Sequence, residues 1–495
     1  MNKKLTPIIA GILLGLSYPP FPTGIFAWFA FVPLLFYWKN HQDWKKSGYI
    51  AGIFANLVAF HWLAQNNGVH WTIALLTMIL SVMFLALNFL ILGWILQRFY
   101  RSIGEKAFWF FPVIWVMIEW LRMFTSLAFP WGSIGSSLLF SESLAQMASF
   151  GGVLGIGFWI CTLNLLIFFA FSQFRMRWII WIVIWIFVPF LAGKMLTHQD
   201  LTTQKTINIG IVQPNVDPNA KWSKAFRMRN TQILDSLSQQ ILEIAPETDL
   251  IILPETAVSA WLRKNRNEQQ WIWNLVESNK ISILTGFRDY EKNNGKILYF
   301  NSSGFFSPNG NFDFNPKSIL VPFAEYVPFS FIFGWLDYLN LGQANFESAQ
   351  EIKLFHAITK KNENVTLASE ICYESSIPNL CQQFVQKGAE IVAVITNDGW
   401  YGKNSIEPAQ HAHLARLRAI ENRTPVVRSA NTGVSCVIDP FGRIVSKLGN
   451  AERGILTANV PIAQNGTFYT KFGDWIGWFA FGVILFGFIK FRRKT

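Results

Sequence analysis

The chain has 495 residues, of which 51% are hydrophobic, 16% are aromatic and only 15% are charged. An ordinary soluble domain carries about 25% charged residues, so this composition argues against a wholly soluble protein and against a disordered chain. The four cysteines are too few and too scattered for a disulfide framework. The formal net charge is +12, a basic excess found both in nucleic-acid-binding proteins and in membrane proteins, so the positions of the charges must decide between them.

Apolar runs fill the chain from Leu5 to Ala192, a segment of mixed polarity follows, and a last apolar run precedes a basic tail. A helix needs about 20 apolar residues to cross a bilayer. Eight runs are candidate spans, although several are shorter than this: residues 5–22, 24–38, 48–63, 71–96, 107–121, 152–171, 178–193 and 476–491. The sequence therefore predicts a polytopic α-helical membrane domain of about eight transmembrane helices.

The loop charges predict the orientation of these helices. If Lys3 and Lys4 are cytoplasmic, every second loop is cationic, whereas the loop 65–70 between them has no Lys or Arg. This asymmetry satisfies the positive-inside rule, with both termini in the cytoplasm and the large polar segment outside. The basic excess then reflects insertion into a lipid bilayer, and no nucleic-acid partner is expected.

Between residues 206 and 460, short β-rich runs alternate with helical ones, which is typical of a layered α/β domain. The predicted strands are 207–213, 250–253, 282–286, 297–306, 366–371, 391–395, 426–430 and 434–438. The predicted helices are 222–242, 268–279, 377–387 and 407–422. The expected domains are a seven-helix membrane domain (1–195), a catalytic domain (196–470), and a last helix with a cytoplasmic tail (471–495).

Three polar groups lie at or near the expected strand ends. Glu255 follows the run 250–253, Lys317 precedes Glu325 by eight residues, and Cys372 follows the run 366–371. Taken singly, these are a helix cap, a surface charge and an inert buried thiol. Together they supply a base, a cation and a nucleophile, the groups that acyl transfer through a thiol needs.

Glu, Lys and Cys in this order resemble the nitrilase (carbon–nitrogen hydrolase) superfamily, whose fold is an αββα sandwich. Longer motifs are similar to its membrane-embedded apolipoprotein N-acyltransferase family. These motifs are LGLSYPPF (14–21), FPWG (129–132), QMA (146–148), QPNV (213–216), LVPF (320–323), EYVP (325–328) and ICYE (371–374). Two further matches, TNDGW (396–400) and RLRAIE (416–421), are interpreted first as scaffold. The sequence departs from the family pattern at Asn315, where a Tyr is usual, and at Ala324, where a Gly is usual.

The resemblance implies a role for each matching residue. Glu255 would be the general base, Lys317 the oxyanion stabiliser and Cys372 the nucleophile. Glu325 would orient Lys317 and the base. The supporting positions are Tyr373 and Glu374 at the nucleophile turn and Trp222 at the pocket for the lipid substrate. The apolar stretch 329–336 is either a lid that dips into the membrane or ordinary packing.

The implied reaction transfers an sn-1 acyl chain from a membrane phospholipid, through a Cys372 thioester, to the N-terminal amine of a diacylated apolipoprotein. It takes place at the bacterial inner membrane, on the periplasmic side, with a monomer expected and neither cofactor nor metal. Cys161, Cys381 and Cys436 are predicted to be structural. Two alternatives stay open: a membrane-tethered amidase that releases ammonia, and a transporter with an external binding domain.

Overall fold

The computed structural model describes residues 5–124, 128–199, 201, 205–218, 224–329, 331, 334, 345–462 and 466–491. The chain divides into two compact units. One consists of residues 1–66, 70–199 and 472–495, and the other of residues 67–69 and 200–471. The first unit is helical, and the second contains all thirteen strands found among the described residues.

The helical unit follows the apolar runs of the sequence. Its α-helices are α1 (Thr6–Gly15), α2 (Val32–Asn40), α3 (Trp44–Phe60), α4 (Trp71–Ile103), α5 (Phe111–Leu121), α6 (Glu142–Ala145), α7 (Ala148–Gln173), α8 (Met176–Thr197) and α14 (Trp475–Phe491). Helix α7 is kinked at Gly152, whose φ is +63°.

Four stretches of the described chain are long and apolar enough to cross a membrane: Trp44–Gln65, Trp71–Leu121, Ala148–Gln173 and Met176–Thr197. The predicted runs 71–96 and 107–121 both fall within one of these, a 51-residue stretch. The runs 5–22 and 24–38 contain only short helices, α1 with 10 residues and α2 with 9. Four candidate spans, rather than eight, thus follow from helix length and composition.

Helices α7 and α8 are joined by a reciprocal pair of indole hydrogen bonds. Trp159 Nε1 donates to the Trp185 carbonyl at 2.8 Å, and Trp185 Nε1 donates to the Trp159 carbonyl at 3.1 Å. The Trp185 carbonyl needs a partner because residue 189, four positions later, is a proline without an N–H group. The Trp159 indole therefore satisfies a polar group that the α8 backbone leaves unpaired.

The second unit is built on two sheets. The seven-stranded sheet has the order β13-β1-β2-β4-β5-β6, with β3 paired to β4, and the six-stranded sheet has the order β12-β11-β10-β9-β8-β7. The strands are β1 (Thr206–Gln213), β2 (Leu250–Ile252), β3 (Val258–Trp261), β4 (Ser282–Asn293), β5 (Lys296–Phe306), β6 (Phe312–Pro316), β7 (Phe355–Ile358), β8 (Asn364–Ile371), β9 (Ile391–Thr396), β10 (Val426–Ala430), β11 (Ser435–Ile438), β12 (Ile444–Leu448) and β13 (Gly454–Pro461).

The core lies between the two sheets. Ile209 and Ile252 of the first sheet belong to the same buried cluster as Leu367 and Ile395 of the second. A second cluster lies on the outer face of the first sheet, beneath α9 (Lys224–Ile244) and α10 (Arg266–Asn279). Helices α11 (Pro378–Gln386) and α12 (Glu407–Asn422) pack on the six-stranded sheet, and the short helix α13 (Phe468–Phe472) follows β13. The predicted αββα sandwich is confirmed.

All eight predicted strands are present, as are the four predicted helices of this domain, with ends shifted by a few residues. Five strands were not predicted: β3, β6, β7, β12 and β13. The last two carry exposed polar residues between apolar ones and pair at or near the sheet margins, so their apolar content alone does not mark them.

Candidate active site

The sandwich brings three strand ends to the candidate site. Glu255 lies three residues after β2, Lys317 directly follows β6, and Cys372 directly follows β8. The loop that holds Glu255 packs tightly on β4 because residue 286 is a glycine. A Cβ at Gly286 would lie only 2.6 Å from the Glu255 Cα, so any larger residue there would displace the carboxylate.

Lys317 and two carboxylates form a buried chain of polar contacts. The Lys317 Nζ lies 3.0 Å from Glu325 Oε1 and 2.8 Å from Oε2. The side-chain amide of Asn301, on β5, donates to Glu255 Oε1 at 2.8 Å and to Glu325 Oε1 at 3.1 Å. The Val321 amide donates to Glu325 Oε2 at 2.8 Å. Asn301 therefore fixes the spacing between the two carboxylates, although the sequence analysis did not single it out.

The charge of Lys317 is stable in this setting. Its side chain is fully buried, which alone would lower its pKa, but the carboxylates of Glu325 and Glu255 outweigh burial and raise it. Lys317 is therefore a permanent cation with no access to solvent. A cation of this kind stabilises negative charge that develops beside it, because no water screens the interaction.

Cys372 occupies a strained turn between β8 and a short 3₁₀ helix. Its φ is +54°, in the left-handed region that residues other than glycine rarely adopt. Tyr373 is buried. The Glu374 carboxylate accepts three backbone N–H bonds, from Ser318 at 2.6 Å, Ile319 at 3.1 Å and Ile371 at 2.7 Å. Glu374 thus ties the segment after Lys317 to the nucleophile turn, and burial raises its pKa to about 7 against the opposing effect of Lys317.

The surroundings of Cys372 favour the neutral thiol over the thiolate. Removal from solvent and the charge of Glu255 raise its pKa well above the ordinary value, while Lys317 and a hydrogen bond with Thr396 act in the opposite direction. The side chain is nevertheless partly exposed, so a substrate can reach it. A neutral thiol beside a carboxylate needs that carboxylate to take its proton as it attacks.

A second polar cluster lies beneath this turn, and the sequence analysis missed it. His411 of α12, Asp398 after β9 and Arg428 of β10 are all nearly fully buried. Cys372, Asp398 and His411 each offer one atom that could bind a metal ion. These three atoms lie within 4.8 Å of one another, a spacing that a metal ion could bridge. However, Arg428 Nη2 lies 2.6 Å from Asp398 Oδ2 and 2.9 Å from His411 Nδ1. A guanidinium therefore occupies the place of the cation, and the donor set does not fit a metal.

Other predicted residues contribute less or lie elsewhere. Trp222 and most of the stretch 329–336 are outside the described residues. Asn315 is buried in β6, where its carbonyl accepts a bond from the Ser303 hydroxyl, and Ala324 lies in the loop before Glu325. The remaining thiols, at Cys161, Cys381 and Cys436, are buried and reduced.

Comparison with known proteins gives matches in both parts of the chain. Residues 208–468 match the family model described as carbon-nitrogen hydrolase, and residues 10–166 match that of the apolipoprotein N-acyltransferase N-terminal domain. The apolipoprotein N-acyltransferase of Chlorobaculum tepidum is 30% identical over 96% of this chain and 94% of its own length. That of Geobacter metallireducens is 28% identical, with 99% and 96% covered.

Among solved structures, Nit3 of Saccharomyces cerevisiae, a member of the nitrilase superfamily, aligns with 58% of this chain and 96% of its own, at 20% identity and a TM-score of 0.39. The carbon-nitrogen hydrolase match alone covers more than half of the chain, and the two relatives align over almost all of it. The chain therefore belongs to the apolipoprotein N-acyltransferase family of carbon–nitrogen hydrolases, and it is an N-acyltransferase.

Proposed function

We propose that this enzyme moves an sn-1 acyl chain from a membrane phospholipid to the N-terminal amine of a diacylglyceryl-modified lipoprotein, with Cys372 as the carrier. Family membership supports the two substrate classes. The observation that supports the assignment of residues is the position of Cys372, partly exposed at the end of β8, beside the buried polar chain that links Lys317, Glu325 and Glu255.

In the first half-reaction, Cys372 Sγ attacks the ester carbonyl while Glu255 takes the thiol proton. The carbonyl oxygen becomes an oxyanion, which the buried ammonium of Lys317 stabilises. Collapse of this intermediate breaks the ester C–O bond. The protonated Glu255 returns the proton to the leaving oxygen, so that a lysophospholipid departs and a thioester remains on Cys372.

In the second half-reaction, the α-amine of the acceptor attacks the thioester carbonyl. Glu255 now takes a proton from the attacking nitrogen, Lys317 again stabilises the oxyanion, and the C–S bond breaks. The protonated Glu255 gives its proton to the departing thiolate, which leaves an amide and the free Cys372 thiol. The amide is more stable than the thioester, which drives the transfer forward. Glu325 and Glu374 act by holding the Lys317 segment and the nucleophile turn.

We further propose that the chain lies in the bacterial inner membrane and crosses it eight times, with both termini in the cytoplasm. The catalytic domain (196–470) is then periplasmic. It follows the membrane domain (1–195) in the sequence and precedes the last helix and tail (471–495). The cationic loops after the second, fourth and sixth segments support this orientation. Both substrates are anchored in the outer leaflet of that membrane, so a single catalytic domain suffices. A monomer is the expected form.

The test is to incubate the purified full-length protein with phospholipid carrying a labelled sn-1 chain and to look for label on Cys372. We expect an adduct that is absent from Cys372→Ala and that a diacylated lipopeptide removes. Cys436→Ala is the matched control, because that thiol is buried within β11. Release of ammonia from small amides without a phospholipid adduct would instead support the amidase. If neither activity is found, the result would support the transporter.

A further inference from the structure

A buried histidine contacts the nucleophile turn from below. The Nε2 atom of His411 lies 3.1 Å from the carbonyl oxygen of Cys372 and 3.0 Å from the Ser375 hydroxyl. Its Nδ1 atom lies 3.0 Å from Asp398 Oδ1 and 2.9 Å from Arg428 Nη2. His411 is 1% exposed, so these contacts take place without competition from water.

The partners of His411 determine where its proton lies. The Cys372 carbonyl can only accept a hydrogen bond, so Nε2 must carry the proton. Burial and the adjacent Arg428 lower the pKa of His411, while Asp398 acts in the opposite direction. The other nitrogen, Nδ1, lies between Arg428 Nη2, which can only donate, and Asp398 Oδ1, which can only accept, so it has a hydrogen-bond partner whether or not it carries a proton.

Asp398 completes the arrangement by holding Arg428. Burial alone would raise the pKa of Asp398, but the adjacent guanidinium of Arg428 has the largest opposing effect and the pKa is lowered to about 2, so the carboxylate is charged. It accepts from Arg428 and from the Thr396 hydroxyl, at 2.6 and 2.9 Å. The order Asp398, Arg428, His411 and Cys372 is thus a continuous chain of donors and acceptors that ends on the backbone of the nucleophile.

This geometry excludes the usual role of a histidine near a cysteine. A general base needs a ring nitrogen that is free to accept the thiol proton. In His411, Nε2 donates to the carbonyl and Nδ1 is enclosed by Arg428 and Asp398, so neither nitrogen has that capacity. The contact that remains is with the Cys372 backbone, at the residue whose φ of +54° is unfavourable for a side chain.

We propose that His411 is a positioning residue, whose Nε2–H bond holds the Cys372 carbonyl and so fixes the left-handed turn that aims the thiol at the acyl ester. This inference rests on the proposed function of Cys372. The Ser375 hydroxyl also donates to the same carbonyl, at 2.9 Å. Without His411 the turn therefore relaxes rather than unfolds, and Sγ moves away from the attacking position.

The experiment measures the rate of label transfer from sn-1-labelled phospholipid to Cys372 in a single turnover, using full-length protein in detergent. Three substitutions separate the hydrogen bond from the ring. His411→Gln carries an amide N–H at the reach of Nε2, His411→Asn carries one only at the reach of Nδ1, and His411→Leu carries none. His413→Leu, two residues away on α12 and partly exposed, is the matched control.

We expect His411→Asn and His411→Leu to form the adduct about 10-fold to 100-fold more slowly, because a misplacement of about 1 Å at a reacting group costs up to this much. His411→Gln should recover most of the rate, and His413→Leu should equal the wild type. The melting temperature of each variant is measured in parallel. If His411→Leu does not fold, the comparison of Gln with Asn decides the question.

Equal rates for His411→Gln and His411→Asn would overturn the positioning role, since only the former reaches the carbonyl. So would a rate for His411→Leu equal to that of the wild type. A wild-type protein that forms no adduct on Cys372 would overturn the proposed function itself, and the inference with it. The wild-type measurement alone therefore distinguishes a failure of the positioning role from a failure of the proposed function.

Discussion

Replacement of Lys317 by methionine tests the buried chain of charges. Methionine keeps most of the volume of the lysine stem but removes the ammonium. Glu325, which is 9% exposed, then keeps only its bonds from Asn301 and Val321. A buried carboxylate is left without its counter-ion, and its desolvation is no longer offset.

The expected loss of stability follows from that imbalance. Removing one partner of a buried ion pair costs about 3–5 kcal/mol. At about 2–4 °C per kcal/mol for a domain of this size, the melting temperature should fall by about 6–20 °C. Lys317→Met combined with Glu325→Gln removes both charges and should recover a large part of the loss. The matched control is Lys296→Met, at a pair whose lysine is 76% exposed and which should cost below about 1 kcal/mol.

Two measurements keep stability and catalysis apart. Thermal unfolding of the purified protein in detergent, followed by tryptophan fluorescence, reports the first, and the rate of acyl adduct formation on Cys372 reports the second. The double variant should regain stability but not rate, because loss of an oxyanion donor costs about 100-fold to 1000-fold in rate. Equal destabilisation by Lys317→Met and Lys296→Met, or a double variant with the combined loss of both singles, would refute the reasoning.

Two further predictions concern the same domain. Asn301→Leu removes the amide that bridges Glu255 and Glu325, so kcat should fall by about 10-fold to 100-fold with little change in KM; a change confined to KM would contradict this. Burial raises the pKa of Glu370 to about 8, above the ordinary 4.5, so the folded state keeps a proton that the unfolded state has lost. Stability should therefore fall as pH rises from about 4.5 to 8, by up to about 5 kcal/mol. Between pH 5 and 9, the melting temperature should change less with pH for Glu370→Gln than for the wild type. The same pH dependence in both proteins would refute the assignment.

The sequence predicted those residues of the site that lie just after a predicted strand. Glu255 follows the consecutive apolar residues 250–253, which predict a buried strand, and Cys372 follows the β-rich run 366–371, so both lie where a predicted strand ends. The role of Lys317 came from the resemblance to a family, since a lysine after the unpredicted strand β6 carries no such signal. Its partner Asn301 looks like an ordinary strand residue, because the contact depends on the pairing of β5 with β6.

His411 could have been found from its spacing. Glu407, His411 and Arg418 lie four and seven positions apart, so they share one face of α12, and all three are buried. Polar residues on the buried face of a helix indicate a hydrogen-bonded network. The identity of the acceptor was out of reach, because the Cys372 carbonyl is a backbone group 39 residues away.

The number of membrane-crossing helices shows a different limit of sequence reasoning. Hydropathy identifies apolar runs, but helix length also depends on where proline interrupts the backbone. Helix α1 ends at Gly15, before Pro19 and Pro20, so the run 5–22 yields only 10 helical residues. Hydropathy alone therefore identifies an apolar run but does not give the length of the helix that forms within it.

The left-handed backbone of Cys372 restricts the evolutionary paths open to this enzyme. A β-branched side chain is strongly disfavoured at such a φ. Threonine, which acts as the nucleophile in some other hydrolases, therefore does not fit this position. Serine fits the same backbone and is one base change away from cysteine. A serine at this position would therefore keep the turn and form an oxygen ester in place of the thioester, whereas a threonine would need a different turn.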